Sequence, residues 1–263
     1  MHQLIDSHCH FDDPRLQALQ PNLWQSCLRE GVEQLVLPGT LQAHFARQIA
    51  LCDTHSDWHL ALGLHPYFSH CHTQQHLDQL PNLLEEHNPV AVGEIGLDFA
   101  LSMQQEGFSQ SQQEYWFTSQ VRIAQAFNLP IIVHSRKAND RLGQLLRQIG
   151  FEHGGIVHAF SGSLQQAQAF TKLGFKIGLG GTLTYERAKA MRRLAAALPL
   201  SDIVLETDAP DMPMAGQPKD QPNRPDHLPR VLKVIASLRK ESLAQITSRV
   251  YENTQQVLRL NQT

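Results

Sequence analysis

The ionisable residues of this chain fall into short, regularly spaced groups. His8 and His10 stand one residue apart in "IDSHCHFDD" (5–13), and Glu206 and Asp208 share that spacing in "LETDAP" (205–210). Between them come His65 in "GLHP", Glu94 in "GEIGLD", His134 in "PIIVHSR" and His158 in "HAFSG". Residues i and i+2 of an extended strand face the same side, so His8 points with His10 and Glu206 with Asp208. Imidazole suits Zn, Mn, Fe or Ni, while carboxylate lets Mg and Mn compete. A carboxylate such as Glu94 can bridge two cations about 3.5–4 Å apart, the separation used for in-line hydrolytic displacement. The set predicts an open, catalytic site for two divalent ions (Zn, Mg or Mn), with His8, His10, Glu94, His134, His158 and Asp208 as ligands. Glu206 lies one pleat deeper than Asp208, where an unpaired carboxylate is costly. It is expected to orient a ligand or position the attacking water, completing a catalytic pair with Asp208.

Each position also has a plainer reading. A single His on an apolar strand is more often a satisfied core residue than a ligand. Jointly, that reading must explain polar groups at strand ends, where barrel interiors otherwise place branched apolar residues. His65 can be read as a ligand, a substrate contact or a cap for the following loop; substrate contact is preferred, because the other histidines fill the coordination count. Arg136 can hold a phosphate by a forked contact, or be a solvated Arg at a helix start. Ser161 is placed with His65 and Arg136 as a phosphate contact. The stretch "RAKAMRR" (187–193) reads as an exposed helix face that could aid an anionic substrate.

The tetrapeptide Ser-His-Cys-His of 7–10 recurs at 69–72, in a chain with 15 His. The first copy ends an apolar strand. The second follows Pro66-Tyr67-Phe68 and runs into polar "TQQHLDQL", a loop before a helix, where nothing makes His70 and His72 face together. One metal site and one echo are expected, with His70 or His72 near substrate at most.

Positioning these groups requires strands that share a direction. Short apolar runs at 3–6, 33–39, 59–65, 90–97, 130–135, 154–160, 175–181 and 202–208 alternate with helix-length amphipathic stretches. The helix over 110–128 has Tyr115, Val121, Ile123 and Ala124 as its apolar positions, and that over 163–174 ends on Gly174, suited to a left-handed cap. Strands bounded by helices imply parallel βαβ units. Eight of them in 263 residues predict an α/β chain folded as a (β/α)₈ TIM-type barrel, one domain over 1–263. A doubly wound sheet would carry a Gly-rich turn after its first strand, where this chain has His-x-His. The long irregular stretch 209–229, rich in Pro, follows the last strand, and loops of this length are more often functional than idle.

The chain is 41% hydrophobic, with a net charge of −3 when His is neutral. It therefore lacks an overall cationic field for nucleic acid or anionic membrane. No apolar run approaches the ~20 residues of a membrane span, and the N-terminus does not read as a signal peptide. The four Cys form no C-x-x-C pair and read as reduced thiols. A cytoplasmic monomer with no membrane association and no obligate protein partner is expected.

Six blocks, "DSHCHFD" (6–12), "GLHP" (63–66), "GEIGLD" (93–98), "PIIVHSR" (130–136), "HAFSG" (158–162) and "LETDAP" (205–210), occur in the order and spacing of the TatD-type metal-dependent hydrolases. The resemblance covers nearly the whole chain and is nearest to the YjjV-like branch. It implies a barrel with divalent ions and deoxyribonuclease activity, often exonucleolytic from the 3′ end. His8 and His10 would bind one metal, His134 and His158 the second, with Glu94 shared. Asp208 would bind metal and engage the attacking water, and Glu206 occupies a position that the family keeps acidic. The segment "QPNRPDHLP" (221–229) departs from the "RNEP"-like block of family members.

The expected reaction is phosphodiester hydrolysis by a metal-acidified water that Asp208 orients or deprotonates. DNA ends or single-stranded DNA fit a barrel mouth better than a long duplex. The alternatives are a metallohydrolase for a small ester, amide or phosphate, and a non-catalytic metal-binding scaffold. A carboxylated-Lys bridge is disfavoured, since no Lys stands near Glu94.

Overall fold

The computed structural model describes residues 3–102, 108–218 and 220–260. Eight parallel strands run in the order β1-β2-β3-β4-β5-β6-β7-β8. They are β1 (Leu4–Asp6), β2 (Val32–Pro38), β3 (Trp58–Leu62), β4 (Ala91–Asp98), β5 (Ile131–Arg136), β6 (Gly155–Val157), β7 (Phe175–Leu179) and β8 (Ile203–Leu205). The first and last are joined where Ser7 N donates to Leu205 O (3.0 Å) and Asp208 N to His8 O (2.9 Å). These bonds bring the two ends of the chain's site together and close the barrel.

Around the strands lie α1 (Pro14–Gln17), α2 (Gln20–Arg29), α3 (Gln42–Cys52), α4 (Gln74–His87), α5 (Phe99–Ser102), α6 (Gln110–Ala126), α7 (Asn139–Ile149), α8 (Leu164–Thr171), α9 (Lys189–Ala197), α10 (Leu228–Leu238) and α11 (Leu243–Leu258). Ser163 and Ser242 begin α8 and α11 with capping boxes, each paired with a Gln three residues on. Gly174 adopts the left-handed conformation expected of it (φ 83°), just beyond α8. Strand interiors such as Ile131, Ile132 and Val133 are wholly buried. The four cysteines are free thiols, Cys71 being the exposed one. No helix among the described residues is long and apolar enough to cross a membrane.

Several local expectations need correction. The hydrogen-bonded strands are shorter than the apolar runs, so His65, His158, Glu206 and Asp208 lie just past the ends of β3, β6 and β8. On α6, Tyr115 is exposed and Ile123 only partly buried, whereas Gln113 and Gln120 are buried with Trp116, Phe117, Val121 and Ala124. The inner face of α6 is thus rotated from the apolar stripe, because two amides find partners there. The irregular stretch after β8 is also less loose than its composition suggests. A 3-10 turn spans Pro225–His227 and α10 starts at Leu228. Buried Asn223 fastens this stretch to the barrel, donating from Nδ2 to Thr207 O at 2.8 Å.

Candidate metal centre

The side chains singled out from their spacing meet at the C-terminal ends of the strands. At the centre is Glu94, 2% exposed. Its Oε2 lies 3.0 Å from His8 Nε2 and 3.8 Å from His10 Nε2. Its Oε1 lies 3.1 Å from both His65 Nε2 and His134 Nδ1, and 3.9 Å from His158 Nε2. Asp208 Oδ1 is 3.7 Å from each of His8, His10 and His158 Nε2. The two oxygens of Glu94 therefore face different sets of nitrogens, as a bridging carboxylate requires.

The donor geometry fits cations. Ligands about 2.0–2.2 Å from one ion stand roughly 3.0–3.5 Å apart for angles between right and tetrahedral. His8 Nε2 and His10 Nε2 are 3.3 Å apart, each turned toward Glu94 Oε2. Three groupings can each hold an ion: His8, His10 and Glu94; His8, His158 and Asp208; and His65, Glu94 and His134. The last adds His65 to the residues able to hold a cation, where the sequence favoured a substrate contact. It also caps the next turn, its Nδ1 accepting from Tyr67 N at 3.0 Å. His134 and His158 are not in one grouping, although both face Glu94 Oε1.

Electrostatics support the same use. Burial, reinforced by His158, holds His8 well below the usual imidazole range, and burial lowers His65 too. Neutral imidazoles present the lone pair that a metal needs. Burial opposes the charge of Glu94, yet His65, His8 and His158 hold its carboxyl well below the usual value. Burial also opposes a proton on His158, but Glu206, Asp208 and Glu94 push its value up to about 10. Carboxylates that hold a proton there so firmly would favour a divalent ion in its place.

Each ligand candidate rests on a neighbour. His158 and His8 stack with ring centroids 3.4 Å apart. Glu206, wholly buried, accepts from Ala159 N at 2.5 Å and stands 3.2 Å from His158 Nδ1 through the same oxygen. This is the orienting place expected for it. Asp208 itself has a left-handed backbone (φ 57°) that turns its side chain toward the cluster. Such a conformation costs a non-glycine residue about 1–3 kcal/mol and persists only where surrounding bonds over-determine it.

Two carboxylates escaped the sequence reading. Asp6 accepts from Thr207 N (2.9 Å), Thr207 Oγ1 (2.5 Å) and His8 N (3.3 Å), stitching β1 to the end of β8. Burial pushes its carboxyl up to about 8. Asp98 faces His134 Nε2 at 3.3 Å. Both were accessible from strand parity, since Asp6 shares a side with His8 and His10, and Asp98 with Glu94. The echo motif divides as expected: His70 is exposed, 5.1 Å from the Phe108 ring. His72 turns inward, its Nε2 2.9 Å from His65 O, and so steadies the loop that carries His65.

Above the cluster opens a cavity of about 1340 Å³ lined by His65, Tyr67, Arg136, Ser161, Met191 and others. Arg15 bonds to Asp13 and Asp211, and Arg47 to Asp12. Arg136 is 58% exposed and 3.7 Å from Asp98. Tyr67 is 52% exposed on the rim.

Comparison with known proteins gives a consistent result. The model of the family described as "TatD related DNase" matches residues 5–259. The metal-dependent hydrolase YjjV of Escherichia coli (strain K12) is 42% identical over 255 residues, which cover 96% of each chain. The 3′-5′ ssDNA/RNA exonuclease TatD of Pantoea sp. (strain At-9b) is 31% identical over 237 residues, 88% of this chain and 89% of the relative. The crystal structure of the E. coli YjjV protein superposes with a TM-score of 0.91 at 41% identity, covering 97% of both chains.

Proposed function

We propose that this metal-dependent hydrolase, which belongs to the TatD-related DNase family, cleaves phosphodiester bonds at the free ends of single-stranded nucleic acid. Two divalent cations would share Glu94. His8, His10 and Asp208 would face one, and His134, His65 and His158 the other. The observation that carries the reading is the cavity: about 1340 Å³, with the His and carboxylate cluster at its floor and exposed Tyr67 and Arg136 at its rim. Pockets for small molecules run about 300–1,000 Å³, so this one has room for a terminal nucleotide and its neighbour. The exonuclease name of the Pantoea relative points the same way and supports a 3′ to 5′ direction.

When bound, divalent cations would acidify water and neutralise phosphate charge. The chain's own groups do the rest. Burial raises the Asp208 carboxyl to about 6, despite His158 and His10. A carboxylate so tuned can take a proton from the attacking water near neutral pH. Glu206 keeps His158 in place from beneath. Arg136 engages the non-bridging oxygens or the next phosphate, and Ser161 lies exposed on the cavity wall within the same phosphate path. Tyr67 offers a ring face for a base, whose stacking is tolerant of sequence.

The test is hydrolysis of a 3′-labelled single-stranded oligonucleotide by the metal-reconstituted protein, beside a panel of small esters and amides. Stepwise loss of 3′ nucleotides, abolished by Asp208→Ala, is expected. Turnover of small esters alone would overturn the nucleic-acid reading, and turnover of nothing would favour a scaffold.

A further inference from the structure

Two fully packed glutamines on one helix bear on half of the site. Gln113 and Gln120 of α6 are 1% and 0% exposed, and residues seven apart share a helix face. Such positions in a barrel helix ordinarily carry apolar side chains, because a buried amide must find partners for both its arms. Outside α6, each does so on a single residue at or just past a strand's end, Gln120 Nε2 also donating to Trp116 O of its own helix. Gln120 Oε1 accepts from Leu64 N at 2.7 Å, and its Nε2 donates to Leu64 O at 3.1 Å. Gln113 Oε1 accepts from Asp98 N at 2.7 Å, and its Nε2 donates to Asp98 O at 3.0 Å. Each side-chain amide thus takes backbone groups that no strand binds there: β3 has ended at Leu62, and Asp98 is the last residue of β4.

Leu64 precedes His65. The Asp98 side chain faces His134 Nε2 at 3.3 Å, while His134 Nδ1 faces Glu94 Oε1 at 3.1 Å. A neutral imidazole carries one proton. The two ring nitrogens thus face different carboxylates, and with Asp98 beside Nε2 it is Nδ1 that is directed at the grouping His65, Glu94 and His134. We propose that α6 is the positioning element of this one cation subsite: Gln120 sets His65, and Gln113, through Asp98, commits His134 to binding by Nδ1. Among the described residues, the subsite built on His8 and His10 has no such tie to α6. The inference rests on the two-cation reading above, but its test uses binding rather than turnover.

The experiment is calorimetric titration of the full chain with Mn²⁺ alone, with the His134 tautomer followed by ¹⁵N NMR in the protein loaded with diamagnetic Zn²⁺. The wild type should bind two ions and carry the His134 proton on Nε2. Gln113→Met, Gln120→Met and Asp98→Ala should each weaken one binding step by about 10–100-fold, the range for lost outer-shell partners of metal ligands. The other step should change less than about threefold. Asp98→Asn keeps an acceptor oxygen, so it should fold, retain Nε2–H and recover part of the affinity. Binding of one ion by the wild type, equal weakening of both steps, unchanged binding in the variants, or a wild-type proton on Nδ1 would each overturn the inference. Selective weakening without any oligonucleotide cleavage would uphold it and remove the nuclease reading instead.

Discussion

Gly178, in β7, gives the sharpest test of how the candidate centre is supported. A Cβ added there would lie 2.3 Å from Glu206 Oε2 and 2.7 Å from its Cδ. Carbon and oxygen need more than 3 Å, so Gly178→Ala must drive the carboxylate about 1 Å off its seat. That shift breaks the 2.5 Å bond from Ala159 N and the 3.2 Å contact to His158 Nδ1. A lost hydrogen bond to a charged group costs about 1.5–3 kcal/mol, and a displaced buried carboxylate adds to it. The expected destabilisation is about 3 kcal/mol, or a fall in Tm of about 6–12 °C for a chain of this size. Divalent-metal affinity should fall about 10–100-fold as His158 loses its orientation. Gly150→Ala is the control. Its φ of 70° makes alanine cost about 1–2 kcal/mol, yet nothing lies within 4 Å of the added Cβ, so metal affinity should not change. Calorimetric metal titration and thermal denaturation of both variants decide the matter. Wild-type metal affinity in Gly178→Ala would refute the claim that Glu206 acts through His158.

Other consequences are open to measurement. Tyr67→Ala should raise KM for a single-stranded oligonucleotide roughly 5–150-fold, as expected for about 1–3 kcal/mol of base stacking. Tyr67→Phe should not, and the difference should vanish on a substrate with an abasic 3′ end. Arg136→Gln should make the salt dependence of binding shallower by about 0.7 in the slope of log K against log salt, the share of one phosphate contact on a single strand. For Asp226, burial raises the carboxyl, but hydrogen bonds from Arg224 and Ser26 outweigh it and hold the group below its usual value. The folded state then takes up this proton at lower pH than the unfolded chain does. Its stabilisation is complete above about pH 4 and is lost as pH falls through the folded value. Denaturant titrations at pH 3–5 should show a shallower acid loss in Asp226→Asn than in the wild type.

The barrel and the list of converging side chains were legible in the sequence, because both follow from local periodicities. Alternating apolar runs and helical stretches announce parallel βαβ units, and parallel strands carry their C-terminal ends to one face. A period of two then places His8 with His10, and Glu206 with Asp208. Context along the chain also separated the two Ser-His-Cys-His segments. What local pattern could not supply was the set of contacts made across distant segments. Asp6 meets Thr207 only because barrel closure brings together residues 201 positions apart. Gln113 and Gln120 looked like polar positions on an amphipathic helix. They became buried supports only when the short strands β3 and β4 left backbone groups at Leu64 and Asp98 for them to bind. His65 could be a ligand, a substrate contact or a cap by type, and its 3.1 Å approach to Glu94 is a property of packing. Residue type and spacing determined which chemistry was available; the closed barrel decided which atoms face one another, since a donor's reach of about 3 Å is set by tertiary contacts and not by order along the chain.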